Sequence, residues 1–557
     1  MDEKIRVVSL GGLDEDGKNL CVVEIDEEIF VLESGVRFPD KTMPGIDYLI
    51  SNFDYLKDHR SKVRAYILTH GHDDEIGAIP YMYKHVPAPI YGSDVTLKLL
   101  KSFCEHIRFD HSLLDLRVVK PTSDVYIDGR LVHFFHTAHN IAESMGVAIT
   151  TSLGNIVFTG DYVVENNATK DYLHDMNAIA RIAERETLLL MTESSYADRL
   201  GYTAPKYKLT PLLNHFMSEV NGRLFVSLFS QNFYNIDEVI ALAIKYKKKI
   251  VFYDQETSGL FYNLQQVNQL LIPKANYVDL ADLNRIRASE TLVLMLGYGD
   301  RLYKKIIALA NSLQEDRRLD LVNSDAYFVA APPSSNVEVI ATEAIDDLYR
   351  SGVKVKNLTR KDILKMHASE EDLKMIIATL KPKYYLPLKG SYRHLLANAQ
   401  LALSMGLNFS HQNVFVLDNG IVLEINKERA RILPDLVKTG DLIIDGKGVG
   451  DVESHVISER QKLSDDGVIL LGATISFKTK EIIAGPDVQI RGFVFLKDAD
   501  SILREIIKIF VQTIEEAFIN NEQNLLTTEN LVSENVLKYV RRVSRKSPLI
   551  IPTIFRL

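Results

Sequence analysis

The most informative stretch of this 557-residue chain is Thr69-His70-Gly71-His72-Asp73-Asp74-Glu75, which directly follows the apolar run Val63–Leu68. A tight loop at the carboxyl end of a strand can turn two imidazoles and a carboxylate toward one cation. A single buried histidine usually only packs, whereas His-x-His-x-Asp at a strand end favours a metal site. We therefore predict a metal site in this loop, with His70, His72 and Asp74 among its ligands.

Two further ligand candidates end apolar, strand-like runs. His139 ends the run that begins at Phe134, and Asp161 ends Phe158-Thr159-Gly160-Asp161. Loops follow both runs, so both side chains can reach the rim on which the histidine motif lies. An aspartate alone would more often be a turn residue, but the combination predicts one shared site. We assign the neighbouring His133 and His136 to packing or to the surface.

The composition is that of a long globular chain. At roughly 150 residues per domain, the length indicates three or four domains. Hydrophobic residues make up 46% and charged residues 25%, which excludes a disordered chain. The net charge of −9 does not favour nucleic acid, although a local basic groove can still bind phosphates. Two basic stretches, Lys245–Lys249 and Lys538–Lys546, either contact nucleic acid or are solvated helix surfaces.

Cysteine content and hydropathy predict a cytoplasmic protein that makes no membrane contact. The two cysteines, Cys21 and Cys104, exclude a disulfide scaffold and a thiolate zinc cluster and fit a reducing compartment. No apolar run approaches the roughly 20 residues of a membrane span, and the N-terminus has no secretory signal. Histidines and carboxylates must therefore hold any metal.

Hydrophobic periodicity divides the chain into segments. The first 200 residues read as short strands, and a helix is predicted over Ile76–His85. Strands alternate with helices from about Pro205 to Val355, which predicts an α/β domain. A glycine-rich joint, Gly446–Gly450, precedes a buried strand, Val468–Ile475. A long helix then carries an apolar stripe, which we interpret as core or subunit contact: Leu503, Ile506, Ile507, Phe510, Ile514 and Phe518.

The order of these stretches resembles the metallo-β-lactamase fold, and further motifs narrow the resemblance to the β-CASP nucleases and to ribonuclease J. These motifs are Glu33-Ser34-Gly35, Glu193–Thr203, Phe229-Ser230-Gln231-Asn232, His367–Lys374, Lys381–Arg393, Asp465-Asp466-Gly467 and Pro548–Pro552. The resemblance implies an αββα metallo-β-lactamase sandwich of the α/β class, an inserted α/β β-CASP domain and a small α+β C-terminal dimerisation domain. The implied boundaries are 1–204 and 356–435 for the sandwich, 205–355 for the insertion, 436–449 for a linker and 450–557 for the last domain.

The resemblance also implies a function in the cytoplasm. The family hydrolyses RNA as a 5′→3′ exonuclease and as an endonuclease, acts in mRNA decay and in rRNA and mRNA maturation, and uses two divalent metals. It implies that His70, His72, His139 and Asp161 hold the first metal, and that Asp74, Glu193 and His367 act in catalysis. Asn232, Lys365 and His367 are the implied contacts to RNA phosphate.

Departures from the family pattern concentrate at the second metal. Its ligands Asp74 and Asp161 are present, but Glu75 and Lys389 stand where the family has two histidines. Lysine has no acceptor to offer a metal, whereas Glu75 could bind Mn²⁺ or Mg²⁺. We therefore expect at most one metal per chain, zinc or manganese, and weak nuclease activity. The pattern resembles the degenerate second ribonuclease J paralogue of Gram-positive bacteria.

Two readings of the function remain open. The chain is either a feeble RNA phosphodiesterase or an essentially non-catalytic RNA-binding subunit that pairs with an active ribonuclease J paralogue; a homodimer is the other expected assembly. A small-molecule hydrolase is disfavoured by the RNA-type motifs. We also predict that the Lys389 ammonium replaces the second metal by reaching Asp74, Glu75 or Asp161; the alternative is that Lys389 points to solvent.

Overall fold

The computed structural model describes residues 3–40, 42–165, 170–334, 337–446, 448–450, 454–493 and 499–557. The chain forms a larger unit, residues 1–38 and 49–442, and a smaller unit, residues 39–48 and 443–557. The division at 442/443 falls inside the predicted linker 436–449, although Lys447 of the predicted joint lies outside the described residues. No helix among the described residues is both long and apolar enough to cross a bilayer.

Two sheets form the sandwich of the larger unit. The first sheet has the spatial order Ala430–Leu436, Ile421–Ile425, Ile5–Gly11, Leu20–Ile25, Glu28–Leu32, Val63–Ile67, Ile90–Gly92 and Leu116–Val118. The second has the order Tyr384–Pro387, Thr187–Thr192, Gly154–Phe158, Met145–Thr151, Arg130–His136 and Asp124–Ile127. Alternate apolar residues of both sheets, such as Val7, Phe30, Phe134 and Met191, share one buried core. This sandwich confirms the predicted fold class.

Helices cover the outer face of the second sheet. Its strands turn Phe135, Ala148 and Leu190 away from the sandwich core, into a second core with Ile179 and Ile376 of two helices. The helices of the sandwich are Asp54–Asp58, Asp73–Ile76, Ile79–Met82, Asp94–His106, Met176–Ala183, Glu370–Leu380 and Tyr392–Ser404. Four further short strands are Val36–Arg37, Tyr48–Ser51, Asp441–Asp445 and Gly448–Val449.

Two local predictions near the metal motif are wrong. The predicted helix Ile76–His85 is two short helices that begin at Asp73 and at Ile79, because Gly77 is a poor helix former and Pro80 suits only a first turn. His139 does not end a strand. The strand ends at His136, and His139 lies in the following loop, beside the isolated bridge between Ala138 and Val163.

A parallel five-stranded sheet follows in the larger unit. Its spatial order is Lys249–Phe252, Thr291–Gly297, Leu224–Phe229, Ala326–Val329 and Lys354–Asn357, so the edge strand extends past the predicted boundary at 355. The accompanying helices are Thr210–Ser218, Phe233–Lys245, Gln255–Gln265, Gly299–Ala310 and Glu338–Arg350. The predicted α/β alternation is therefore confirmed. Because the strands are parallel, the loops after Phe229 and Gly297 lie at the same edge.

The smaller unit is a three-stranded sheet with helices. The central strand, Val468–Ser476, lies between Glu481–Arg491 and Leu549–Arg556, and the helices are Ser454–Asp466, Ala499–Ile519 and Leu525–Ser544. Four members of the predicted stripe, Ile506, Phe510, Ile514 and Phe518, are buried in this unit's own core. These four residues are therefore core, whereas Leu503 and Ile507 of the same stripe are partly exposed.

Candidate metal centre

Three imidazoles converge beside the sandwich. His70 Nε2 lies 3.0 Å from His72 Nδ1, and His139 Nε2 lies 3.4 Å from the same His72 atom. We call these three residues the imidazole cluster. Burial, the largest cause, lowers the pKa of each of them, and the neighbouring rings lower the pKa of His70 and His139 further. The rings are therefore neutral, as metal ligands must be.

Hydrogen bonds fix which nitrogens are free to bind a metal. His139 Nδ1 lies 2.6 Å from the carbonyl oxygen of Met366, which can only accept, so Nδ1 carries the proton and Nε2 keeps its lone pair. Thr69 donates its hydroxyl and its backbone N–H to Glu33. Its Oγ1 therefore accepts from His70 Nδ1 at 2.9 Å, which leaves His70 Nε2 free. Such partners orient the imidazoles of metal sites.

The motif Glu33-Ser34-Gly35 packs against the backbone of the metal motif at Asp74 and Glu75. A Cβ on Gly35 would lie 1.5 Å from the backbone oxygen of Asp74, so only glycine allows this approach. The Ser34 N–H donates to the Glu75 carbonyl at 2.6 Å, and this hydrogen bond holds the backbone of the metal motif at Glu75. Burial raises the pKa of Glu33 to about 7, against the lowering effect of Lys389.

Two carboxylates and one ammonium lie beside His70. Lys389 Nζ is 2.7 Å from Asp161 Oδ1 and 2.9 Å from Glu75 Oε1. The prediction that this ammonium reaches at least one of the acidic side chains is confirmed, and the alternative of a solvent-pointing lysine is wrong. Asn19 Nδ2, which the sequence did not single out, also donates to Glu75 Oε1 at 2.9 Å.

The pKa shifts in this group follow from burial and charge. Burial alone would lower the pKa of Lys389, but Asp161, Glu75 and Glu33 outweigh it and raise that pKa well above its usual value. Burial alone would raise the pKa of Asp161, but Lys389 and then His367 hold it well below the ordinary range. Burial and the adjacent Asp74 raise the pKa of Glu75.

The partly buried His367 and the fully buried Glu193 form a pair at the edge of the imidazole cluster. His367 Nδ1 donates to Glu193 Oε2 at 2.7 Å and lies 3.8 Å from Asp161 Oδ2. Burial would lower the pKa of His367, but the Glu193 carboxylate and its hydrogen bond raise it. The arrangement therefore holds a protonated imidazole beside the candidate ligands.

The predicted RNA-contacting residues differ in their surroundings: the Asn232 side chain is hydrogen-bonded within the protein, whereas Lys365 is exposed. Asn232 caps the helix Phe233–Lys245: its Oδ1 accepts from the Asn235 N–H at 3.3 Å, and its Nδ2 donates to Asn235 Oδ1 at 2.6 Å. Lys365 is exposed, and its charge adds to the lowering of the pKa of His72 that burial causes. Gln231 hydrogen-bonds Asp73 of the metal motif, a contact without a signal in the sequence.

Comparisons with known proteins agree with this geometry. Residues 16–200 match the metallo-beta-lactamase superfamily, and residues 455–557 match the ribonuclease J C-terminal domain. The chain is 29% identical over 554 residues to Ribonuclease J 2 of Staphylococcus aureus, which covers 99% of this chain and 98% of that protein. It is also 29% identical over 553 residues to Ribonuclease J 2 of Staphylococcus epidermidis, again covering 99% of this chain and 98% of that protein.

The chain is therefore similar to ribonuclease J proteins over nearly its whole length, and residues 455–557 match that family's C-terminal domain. A crystallised protein of unknown function from Enterococcus faecalis shares the fold with a TM-score of 0.50 and 14% identity, covering 76% of this chain and all of that one. The metallo-β-lactamase fold implies divalent metal binding.

The two metal positions of the ribonuclease J family differ in fit. The imidazole cluster fits a metal, because two ring nitrogens with assigned lone pairs, His70 Nε2 and His139 Nε2, face His72 Nδ1 at close range. A cation among these nitrogens can accept both lone pairs, whereas without one a proton on His72 Nδ1 can bridge it to His70 Nε2. The second position does not fit, because the Lys389 ammonium already contacts both Glu75 and Asp161 there. A dication would have to displace this charge.

Proposed function

We propose that this chain is a ribonuclease J family member, a metal-dependent RNA hydrolase whose metal ligands are His70, His72, His139 and Asp161. The observation that carries the proposal is the convergence of three imidazoles, in which the free nitrogens His70 Nε2 and His139 Nε2 both lie close to His72 Nδ1. Three nitrogens and a carboxylate oxygen suit zinc or manganese. When bound, a divalent metal supplies a Lewis acid that polarises a phosphoryl oxygen and acidifies a water.

The chain's own residues then have distinct roles. The protonated His367, held by Glu193, can donate a proton to an oxygen of the RNA phosphate. Lys365, exposed at the same edge, attracts the phosphate backbone. Asp74 is near enough to His72 and Glu75 to share a cation with them, and we assign it to orienting the attacking water.

The altered second position sets the expected rate. A second metal about 3.5–4 Å from the first would stabilise both the attacking and the leaving oxygens. An ammonium cannot replace a Lewis acid, so we expect turnover that is orders of magnitude below that of an intact ribonuclease J, and RNA binding that persists. We propose that the chain cleaves RNA both exonucleolytically from the 5′ end and endonucleolytically. We propose that this activity serves mRNA decay and the maturation of rRNA and mRNA in the cytoplasm.

Hydrolysis of a 5′-monophosphorylated RNA at saturating Mn²⁺ tests the proposal. We expect slow formation of RNA cleavage products, and we expect the change His72→Ala to abolish it. His133→Ala is the matched control, because His133 is a histidine paired with Asp124 on an outer strand, outside the imidazole cluster. Equal activity of His72→Ala and the unchanged chain would contradict the proposal, as would a rate comparable to that of an intact ribonuclease J.

A second candidate function is that of a non-catalytic RNA-binding subunit. The occupation of the second metal position by Lys389 favours it. In that case RNA hydrolysis would appear only when an active ribonuclease J paralogue is added, and His72→Ala would leave the rate of the mixture unchanged.

The assembly is also a proposal. We propose a homodimer or a heterodimer with such a paralogue, joined through the domain after residue 449, although the stripe Ile506–Phe518 is taken up by that domain's core. Light scattering of the full chain and of a truncation at Lys447 tests this. A dimeric full chain and a monomeric truncation support it, and an unchanged oligomer after truncation contradicts it.

A further inference from the structure

The Lys389 ammonium bridges two buried carboxylates through one oxygen of each. It contacts Glu75 Oε1 and Asp161 Oδ1, while Lys389 is 7% exposed, Asp161 4% and Glu75 0%. Glu75 Oε1 receives a second donor, the amide of Asn19. The two carboxylate planes are therefore fixed by buried donors on the side away from the imidazole cluster.

The remaining oxygen of each carboxylate faces the imidazole cluster. Glu75 Oε2 lies 3.5 Å from His70 Nε2, and Asp161 Oδ2 lies 3.8 Å from the same nitrogen. Glu75 Oε2 is fully buried and has no hydrogen-bond partner within the described part of the chain. A buried carboxylate oxygen without a donor is costly, and a cation between it and the free lone pair of His70 Nε2 would satisfy both groups.

The backbone at Lys389 is shaped for this position. Lys389 has φ +57° and Gly390 has φ +104°, left-handed conformations that lysine rarely adopts. Gly390 forms isolated bridges with Leu13 and Glu15, which anchor the turn to the first sheet's amino-terminal strand region. The ammonium is thus aimed by the turn and not only by a flexible stem.

We propose that this chain builds a single-metal centre in which Lys389 takes the place of the second metal and turns Glu75 Oε2 and Asp161 Oδ2 toward the one ion held by His70, His72 and His139. The proposal rests on the metal site of the proposed function and deepens it. Glu75 changes from a second-metal residue into a fifth ligand of the first metal. Lys389 is a positioning residue that acts through the two carboxylates.

Charge counting supports one ion and not two. The Lys389 ammonium already supplies one buried positive charge to Glu75 and Asp161. A second dication would add two positive charges beside it or would have to expel the lysine. Three imidazole nitrogens with two carboxylate oxygens form a mixed set that Mn²⁺ accepts.

Manganese binding by the full-length chain tests this proposal without RNA. We expect one Mn²⁺ per chain by elemental analysis after dialysis, with the electron paramagnetic resonance pattern of an isolated ion. The isosteric Glu75→Gln should still bind one ion, with an affinity about tenfold or more lower, because it removes a charged ligand. The double change Glu75→His with Lys389→His should bind two ions, with a spin-coupled spectrum.

The matched control is Lys305→Met. Lys305 also joins two carboxylates, Asp254 at 2.6 Å and Glu256 at 2.8 Å, but lies in the five-stranded-sheet region and not at the metal centre. It should leave the Mn²⁺ number and affinity unchanged. Circular dichroism establishes that each variant is folded, and if the double variant does not fold, Glu75→Gln alone decides.

The outcomes separate this proposal from the hydrolase proposal. Two Mn²⁺ ions in the unchanged chain, or an unchanged affinity in Glu75→Gln, would overturn the single-metal centre whether or not RNA is cleaved. One Mn²⁺ ion with weakened binding in Glu75→Gln supports the centre even if RNA hydrolysis is absent, a result that would refute only the hydrolase. Absence of any binding of either Mn²⁺ or Zn²⁺ overturns both.

Discussion

Replacing Glu193 by glutamine tests whether this buried carboxylate holds the proton of His367. Glu193 Oε1 accepts from the backbone N–H of Tyr162 at 2.9 Å and of Ala368 at 3.0 Å, and Oε2 accepts from His367 Nδ1. Glutamine keeps the shape but has one oxygen. If that oxygen serves the two backbone groups, the amide NH₂ faces His367 Nδ1, which must then give up its proton.

The magnitude follows from the lost charge. A hydrogen bond to a charged partner contributes about 1.5–3 kcal/mol, and about 1.4 kcal/mol corresponds to one pKa unit. We therefore expect the pKa of His367 to fall by about one to two units in Glu193→Gln. Because the pKa of His367 is raised in the folded chain, its stabilising effect is present below about pH 6.5 and is lost as the pH rises through the raised pKa; the variant should lose this effect.

Nuclear magnetic resonance of metal-free, ¹⁵N-histidine-labelled protein measures this pKa directly, with His367→Gln identifying the signal. The matched control is Asp372→Asn. Asp372 is another buried carboxylate, and it accepts from the backbone N–H groups of Val164, Thr203 and Ser369 without contacting His367. The control should leave the pKa of His367 in place. An unchanged pKa in Glu193→Gln would refute the reasoning.

Three further predictions concern stability and metal binding. Burial lowers the pKa of His174 to about 4, so the unfolded chain binds a proton that the folded chain excludes, and stability should fall as the pH drops from about 6.5 to about 4. His174→Phe should remove about 3 kcal/mol of that pH dependence in denaturant unfolding, and an unaltered pH profile would argue against it. Phe510→Ala should destabilise the smaller unit by about 3–5 kcal/mol, measured by its unfolding midpoint, whereas Phe555→Ala, 60% exposed, should have little effect. Gly35→Ala should displace the Asp74 backbone and weaken Mn²⁺ binding, measured by titration; retention of full affinity would contradict the close approach.

Much of the fold could be predicted from the sequence, because hydrophobic periodicity and the alternation of strands with helices are local patterns along the chain. The predicted strand Val468–Ile475 is observed as Val468–Ser476, and the alternation after Pro205 does form a parallel sheet. The prediction failed at Ile76–His85, where an apolar helix-like pattern is interrupted by Gly77 and Pro80. Contacts between Gly77 and Val36 from another strand, which the pattern does not encode, also favour the break.

The sequence by itself determined which chemistry was available: histidines and carboxylates at strand ends, no thiolate cluster, and a lysine in place of a late histidine. Only the tertiary structure decided which of these groups contact one another. Lys389 lies 314 residues from Glu75 and 228 from Asp161, so its contacts depend on how two sheets pack and not on any local pattern. The same reason explains why Asn19 was missed, why the Asn232 side chain is used as a helix cap and why the apolar stripe at Phe510 became core. Side-chain periodicity identifies an apolar face, but the partner that covers that face is fixed by long-range packing.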